Sequence, residues 1–94
     1  MIEPRRWRIT FLPSARRDLL EIRGAIQERV RAAIRALAQD PAPPDSIEMR
    51  GKGTGFRRLR VGGYRVIYRI QSERVTVLIV RVGHRSDVYE GFED

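Results

Sequence analysis

The sequence predicts an α+β fold in the order β-α-α-β-β-β: a helical hairpin packed on one face of a twisted, mainly antiparallel sheet of four strands. Three observations predict it. Residues 56–70, FRRLRVGGYRVIYRI, hold two alternating runs joined by Gly62-Gly63, and such a pair of runs with a two-residue glycine link reads as a β-hairpin. Residues 25–39 carry apolar side chains at helical spacing along a single stripe, the pattern of a helix that covers a core. Residues 7–11 and 74–82 supply two further strand-like runs, one at each end of the chain. Two helices need a surface to cover, and the hairpin with its following strand offers one apolar face.

The first strand, residues 7–11, puts Trp7, Ile9 and Phe11 on one side and Arg8 and Thr10 on the other. Pro13 ends it. Proline is tolerated in the first turn of a helix, and Ser14 is a candidate cap. The first helix then spans about residues 13–23, with Ala15, Leu19 and Ile22 at helical spacing. Gly24 interrupts it and is read as a short turn between antiparallel helices rather than a kink. The second helix, about residues 25–39, aligns Ile26, Val30, Ala33, Ile34, Leu37 and Ala38. Its other side carries Glu28, Arg29, Arg31 and Arg35, and with acid interleaved a solvated helix face outweighs a nucleic-acid-binding one. Asp40-Pro41-Ala42-Pro43-Pro44-Asp45 stops the helix, because proline cannot continue it.

Met49-Arg50-Gly51-Lys52-Gly53-Thr54-Gly55 is a glycine-rich connection. No strand is expected before it and it lacks a Gly-Lys-Ser/Thr ending, so it is not a phosphate-cradling P-loop. Lys52 is still a candidate phosphate contact. The hairpin follows. A two-residue loop sets Val61 opposite Tyr64, Arg60 opposite Arg65, Leu59 opposite Val66 and Arg58 opposite Ile67. One face then bears Leu59, Val61, Tyr64, Val66, Tyr68 and Ile70, and is the core face. The other bears Phe56, Arg58, Arg60, Arg65, Ile67 and Arg69, and is expected to stay open to solvent. Like charges set directly opposite one another destabilise a sheet. The pair Arg60–Arg65 therefore suggests an anion over this face, against the plainer reading of a solvated arginine surface in a chain with 18 Arg and one Lys. Residues 71–74 form a second turn, and the last strand leads into Gly83-His84-Arg85-Ser86-Asp87-Val88-Tyr89 and an acidic tail.

The 94 residues make one domain, 1–94, which buries roughly 60–65% of the surface of its unfolded chain, enough for a modest core. The net charge is +7, and it is unevenly spread. Residues 50–85 hold ten basic groups and one acidic group, Glu73. A basic surface so concentrated favours a polyanion as partner: RNA, DNA or an acidic protein segment. The absence of cysteine excludes disulfides and thiol chemistry and fits a reducing cytoplasm. The N-terminus has no apolar region of the signal-peptide kind, and no apolar run is long enough to span a bilayer, so no membrane role is expected.

With a single histidine, His84, a two-histidine acid–base ribonuclease is excluded. One histidine, no cysteine and scattered acids argue against a metal site, and no cofactor is expected. What remains is a set of cations on a sheet plus Tyr89. Cleavage of RNA can use the substrate's own 2′-OH as nucleophile. The protein then aligns that oxygen with the phosphorus, neutralises charge on the pentacoordinate state and helps the 5′ oxygen leave. Arginine binds phosphate bidentately and stays charged, which also makes it a poor base. Tyrosine is an unusual base, with a pKa of about 10 unless neighbouring cations lower it.

The run Arg58-Leu59-Arg60-Val61-Gly62-Gly63-Tyr64-Arg65-Val66-Ile67-Tyr68, followed by Val82-Gly83-His84-Arg85 and Asp87-Val88-Tyr89, resembles the RelE/ParE superfamily of type II toxins. So does the whole frame of strand, helical hairpin and meander. The resemblance implies a cytoplasmic toxin held in a hetero-oligomer by a cognate antitoxin with an acidic, partly disordered segment. Its RelE branch implies a metal-independent endoribonuclease, an mRNA interferase that enters the ribosomal A site, cuts mRNA there and inhibits translation. Its ParE branch implies inhibition of DNA gyrase without the catalytic set. By the resemblance, Arg58 and Arg60 match the basic pair that holds the mRNA backbone. Arg65 matches the arginine that stabilises the transition state, and Arg85 a second catalytic arginine acting as acid or charge stabiliser. Tyr89 matches a C-terminal tyrosine that stacks on a base and serves as a candidate base. His84 is a candidate RNA contact, since some members use a histidine nearby; its other reading is a turn residue. The filled set Arg58, Arg60, Arg65, Arg85 and Tyr89 favours the RelE branch.

Overall fold

The computed structural model describes residues 6–89. Its elements run β1 (Arg8–Phe11), α1 (Pro13–Glu21), α2 (Ala25–Ala36), β2 (Ser46–Glu48), β3 (Arg57–Val61), β4 (Tyr64–Gln71) and β5 (Thr76–His84). They form one five-stranded sheet in the order β1-β5-β4-β3-β2. Only β1 lies parallel to its neighbour; β2, β3, β4 and β5 pair antiparallel. The α+β class, the helical hairpin and the mainly antiparallel sheet are as expected, with one strand more than expected. The extra strand, β2, pairs Ser46, Ile47 and Glu48 with Leu59, Arg58 and Arg57. A strand therefore does precede the glycine-rich loop. Three residues are too few to carry a period-2 pattern, so periodicity does not reveal it. The loop still lacks the P-loop ending, and it leads into a strand rather than a helix.

Amphipathic helices explain the core. Ala15, Leu19 and Ile22 near α1, and Val30, Ile34 and Leu37 near α2, pack against Leu59, Val61, Val66, Tyr68, Val77, Ile79 and Val82. Pro13 starts α1 directly after Leu12, and no side chain caps the helix, so Ser14 does not take the expected capping role. The helices also end earlier than expected, at Glu21 and Ala36. Gln27 of α2 reaches back to the carbonyls of Leu19 and Ile22, at 3.2 and 2.8 Å. It satisfies the Ile22 carbonyl just past α1 and adds a second donor to the Leu19 carbonyl, which already accepts from the Ile22 N–H. Tyr68 is fully buried, and its hydroxyl donates to the Pro41 carbonyl at 2.7 Å. That bond ties the proline-rich connection to the centre of the sheet.

The pairing of β5 with β4 carries an extra residue near Val80, where Ile67 faces Arg81 but Tyr68 faces Ile79. Beyond this bulge β5 has lost its neighbour β1, which pairs only as far as Ile79. Helix α1 covers the exposed edge instead. The Asp18 carboxylate accepts from the Val82 backbone N–H at 3.0 Å and pairs with Arg81 at 3.2 Å. The last residues of β5, which lead to Arg85, are held in this way.

Candidate functional site

The hairpin register is the expected one, residue for residue: Val61 opposite Tyr64, Arg60 opposite Arg65, Leu59 opposite Val66, Arg58 opposite Ile67. Opposed residues share a side of the sheet. Arg58, Arg60 and Arg65 therefore share the face turned away from the helices. On β5 the partner of Arg65 is Gly83. A side chain at Gly83 would come within 3.3 Å of the Val88 Cβ, so glycine there lets the chain fold back onto this face. Val88 is fully buried, and so is Ile67 on the same face. The arginine face is thus not wholly open: the turn after β5 covers part of it.

That turn completes the site. The His84 carbonyl accepts from the N–H groups of Asp87 and Val88, at 2.8 and 2.9 Å, and reverses the chain. Tyr89 then lands beside Arg58. The Arg58 Nη1 donates to the Tyr89 hydroxyl at 3.3 Å, and the guanidinium carbon lies 5.5 Å from the ring centre. An open depression of about 380 Å³ is lined by Arg58, Arg65, Arg85, Ser86 and Tyr89. Four of the residues singled out from the sequence thus line one surface. Arg58 also lines a larger neighbouring cleft of about 950 Å³ with Tyr89, Ile47, Met49 and Arg50. Arg60 is one step aside, in a third depression with Arg58, Arg65 and Asp45.

Two expected residues stand elsewhere. Lys52 lies on a short 3-10 turn, Gly51–Gly53, and lines none of these three depressions. His84 is exposed and opposite Tyr64, on the helix side of the sheet, with the two rings edge to face at 5.7 Å. Its Nδ1 accepts from the Ser86 N–H at 3.3 Å and lies 2.9 Å from the Ser86 hydroxyl, the contacts of a turn residue. Arg69 packs over Phe56 at 5.2 Å, away from the group. Arg57, passed over in the sequence, has a structural part. It alternates out of the arginine face, donates to the Ser46 hydroxyl at 2.9 Å and to the Ser46 carbonyl at 3.3 Å, and so clamps β2 onto β3. Nothing in a run of arginines distinguishes the clamp from the site before the second strand is known.

The opposed pair Arg60–Arg65 is relieved locally. The Arg65 Nη1 turns to the hairpin tip and donates to the carbonyls of Gly62 and Tyr64, each at 2.9 Å. The arrangement as a whole offers fixed positive charge around a shallow concave surface, one phenol, and an aromatic face. It suits an extended phosphodiester better than a compact, enclosed ligand.

The chain matches known proteins over most of its length. The family model for the ParE toxin of type II toxin–antitoxin systems, parDE, matches residues 9–89. Toxin RelG of Mycobacterium tuberculosis is 36% identical over 85 residues, covering 86% of this chain and 93% of that protein. Among solved structures, the toxin–antitoxin complex RelBE2 of Mycobacterium tuberculosis aligns with a TM-score of 0.66 at 32% identity. It covers 85% of this chain and 99% of the matched one. The archaeal RelE–RelB complex of Pyrococcus horikoshii aligns with a TM-score of 0.73 at 25% identity, over 87% of this chain and 98% of the matched one.

Proposed function

The chain belongs to the RelE/ParE superfamily of toxins from type II toxin–antitoxin systems, and on that premise we propose that it is an endoribonuclease that cuts mRNA in the ribosomal A site and so inhibits translation. The observation that carries this reading is the single depression lined by Arg58, Arg65, Arg85 and Tyr89. In the proposed reaction the substrate's 2′ oxygen forms a bond to phosphorus as the bond to the 5′ oxygen breaks. The products are a 2′,3′-cyclic phosphate and a free 5′-hydroxyl, the leaving oxygen taking its proton from water that reaches the open depression. Arg58 and Arg60 hold the RNA backbone. Arg65 and Arg85 neutralise the charge that grows on the phosphoryl oxygens, an electrostatic contribution that needs no metal. Tyr89 stacks on a base and is the candidate acceptor of the 2′ proton. Lys52 and His84, outside the depression, are left with contacts to RNA beyond the scissile step.

Removing one such stabilising group typically costs ~10²–10³ in rate. Arg65→Ala and Arg85→Ala are each expected to lower mRNA cutting on programmed ribosomes by that order, with the fold intact by circular dichroism. Wild-type cutting by both variants would remove the proposal.

The matched family model, being that of the ParE toxins, favours a second reading: a gyrase inhibitor without nuclease activity. A supercoiling assay separates the two. Inhibition of gyrase with no ribosome-dependent cutting would select it. Under either reading we propose a cognate antitoxin as partner, as in the RelBE2 and RelE–RelB complexes. A basic face suits an acidic segment that is disordered alone and orders on binding.

A further inference from the structure

We infer that the Gly62-Gly63 turn is a positioning device that sets both arginines of the proposed reaction. The inference rests on the mRNA-cleavage reading for its consequence, but not for its geometry. Three successive carbonyls are involved. Those of Gly62 and Tyr64 each accept from the Arg65 Nη1 at 2.9 Å. That of Gly63 accepts from the Arg85 backbone N–H at 2.9 Å. One tight turn thus grips the side chain of one arginine and the main chain of the other.

The grip on Arg65 has a chemical consequence. Both hydrogens of Nη1 are directed at the turn, and the Nη2–Nε edge is left to meet a phosphate. That edge is the fork that binds two oxygens at once. A guanidinium held in advance does not have to reorganise when charge develops, which is the condition for electrostatic stabilisation to count fully. The grip on Arg85 fixes where the chain leaves β5, and with it the turn that brings Tyr89 to Arg58.

The direction of the Gly62 carbonyl depends on a left-handed backbone, with φ +59°. Space does not demand glycine there. A Cβ would lie 3.6 Å from the Ile26 Cδ1 and 3.8 Å from the Arg29 Nη1, ordinary contact distances. The requirement is the dihedral angle alone, which glycine reaches freely, asparagine tolerates and alanine resists. That separates the positioning role from bulk and makes it testable with two residues of modest size.

The experiment compares Gly62→Ala with Gly62→Asn in ribosome-dependent cleavage, together with the same alanine change in an Arg65→Ala background. Misplacing a catalytic group by an ångström can cost up to about 10²-fold. Gly62→Ala is expected to lose about tenfold or more in kcat with KM little changed, while Gly62→Asn keeps most of the rate. In the Arg65→Ala background the alanine change is expected to cost less, because the share of the loss that runs through Arg65 is already gone and only the share through Arg85 remains. ¹⁵N NMR of the Arg65 side chain reads the positioning directly: slow guanidinium rotation in the wild type and Gly62→Asn, fast rotation in Gly62→Ala. Wild-type kcat in Gly62→Ala, equal losses in both backgrounds, or equal impairment of the Asn and Ala variants would each overturn the inference. If Arg65→Ala and Arg85→Ala both cut like the wild type, the cleavage reading fails, and the NMR comparison still decides the positioning.

Discussion

Single residues in this chain do more than their type announces. Tyr68 belongs to the core by its alternation, and it is fully buried. Yet its hydroxyl also holds the Pro41 carbonyl at 2.7 Å. Tyr68→Phe is expected to cost about 1 kcal/mol, the usual net value of such a bond, and somewhat more if the carbonyl stays dry. A urea titration with an unchanged m-value checks it; a variant as stable as the wild type would mean that water replaces the hydroxyl. Arg58 and Arg57 are neighbours in the sequence with different partners. Period-2 alternation sends Arg58 to the site and Arg57 to the Ser46 clamp. The register of Arg58 was legible, because a two-residue turn fixes it. The role of Arg57 was not, because its partner strand carried no pattern.

At the scale of elements, the hairpin and α2 were read correctly because each is long enough for its period to repeat. Of the sheet's outer parts, β1 was read as well, but β2 and the far end of β5 were not. Strand β2 is three residues long, and beyond Ile79 the edge of β5 is covered by a helix rather than a strand. Asp18 is the instrument of that cover, accepting from the Val82 N–H and from Arg81. Asp18→Ala leaves a partly buried backbone donor without its acceptor, and is expected to destabilise by about 1–3 kcal/mol. Asp18→Asn keeps an acceptor and is expected to lose less. Thermal unfolding of the pair measures both, and equal losses would show that charge, not acceptance, is what Asp18 supplies. Since β5 ends one residue before Arg85, the Ala variant is also expected to loosen the site.

At the scale of the molecule, charge is the dominant fact. Of the ten basic groups among residues 50–85, Arg58, Arg60, Arg65 and Arg85 are brought together on one face by β3, β4 and the turn after β5. Binding to RNA by such a face releases counterions, so affinity falls steeply as salt rises. Association with programmed ribosomes is expected to follow this rule. Replacing Arg60, if it contacts one phosphate, is expected to make the slope of log K against log salt shallower by about one. An unchanged slope with weaker binding would mean that Arg60 acts through the sheet and not on a phosphate.

The sequence by itself determined the α+β class, the helical hairpin, the register of β3 on β4 and the sharing of one face by Arg58, Arg60 and Arg65. These follow from periodicity and from one tight turn, which are local and survive without knowledge of the rest. Only the tertiary structure decided that Arg85 and Tyr89 join that face while His84 turns to the other side and Lys52 stands apart. Two of the deciding contacts span long stretches of chain, Arg58 to Tyr89 and Arg85 to the Gly63 carbonyl, and the fold of Val88 back over Gly83 joins them. Each depends on where β5 ends and how the chain turns back, and a bulge of one residue near Val80 shifts that ending. Along a strand, one residue exchanges the two faces, so the face on which the last residues fall is set by packing, not by spacing in the sequence.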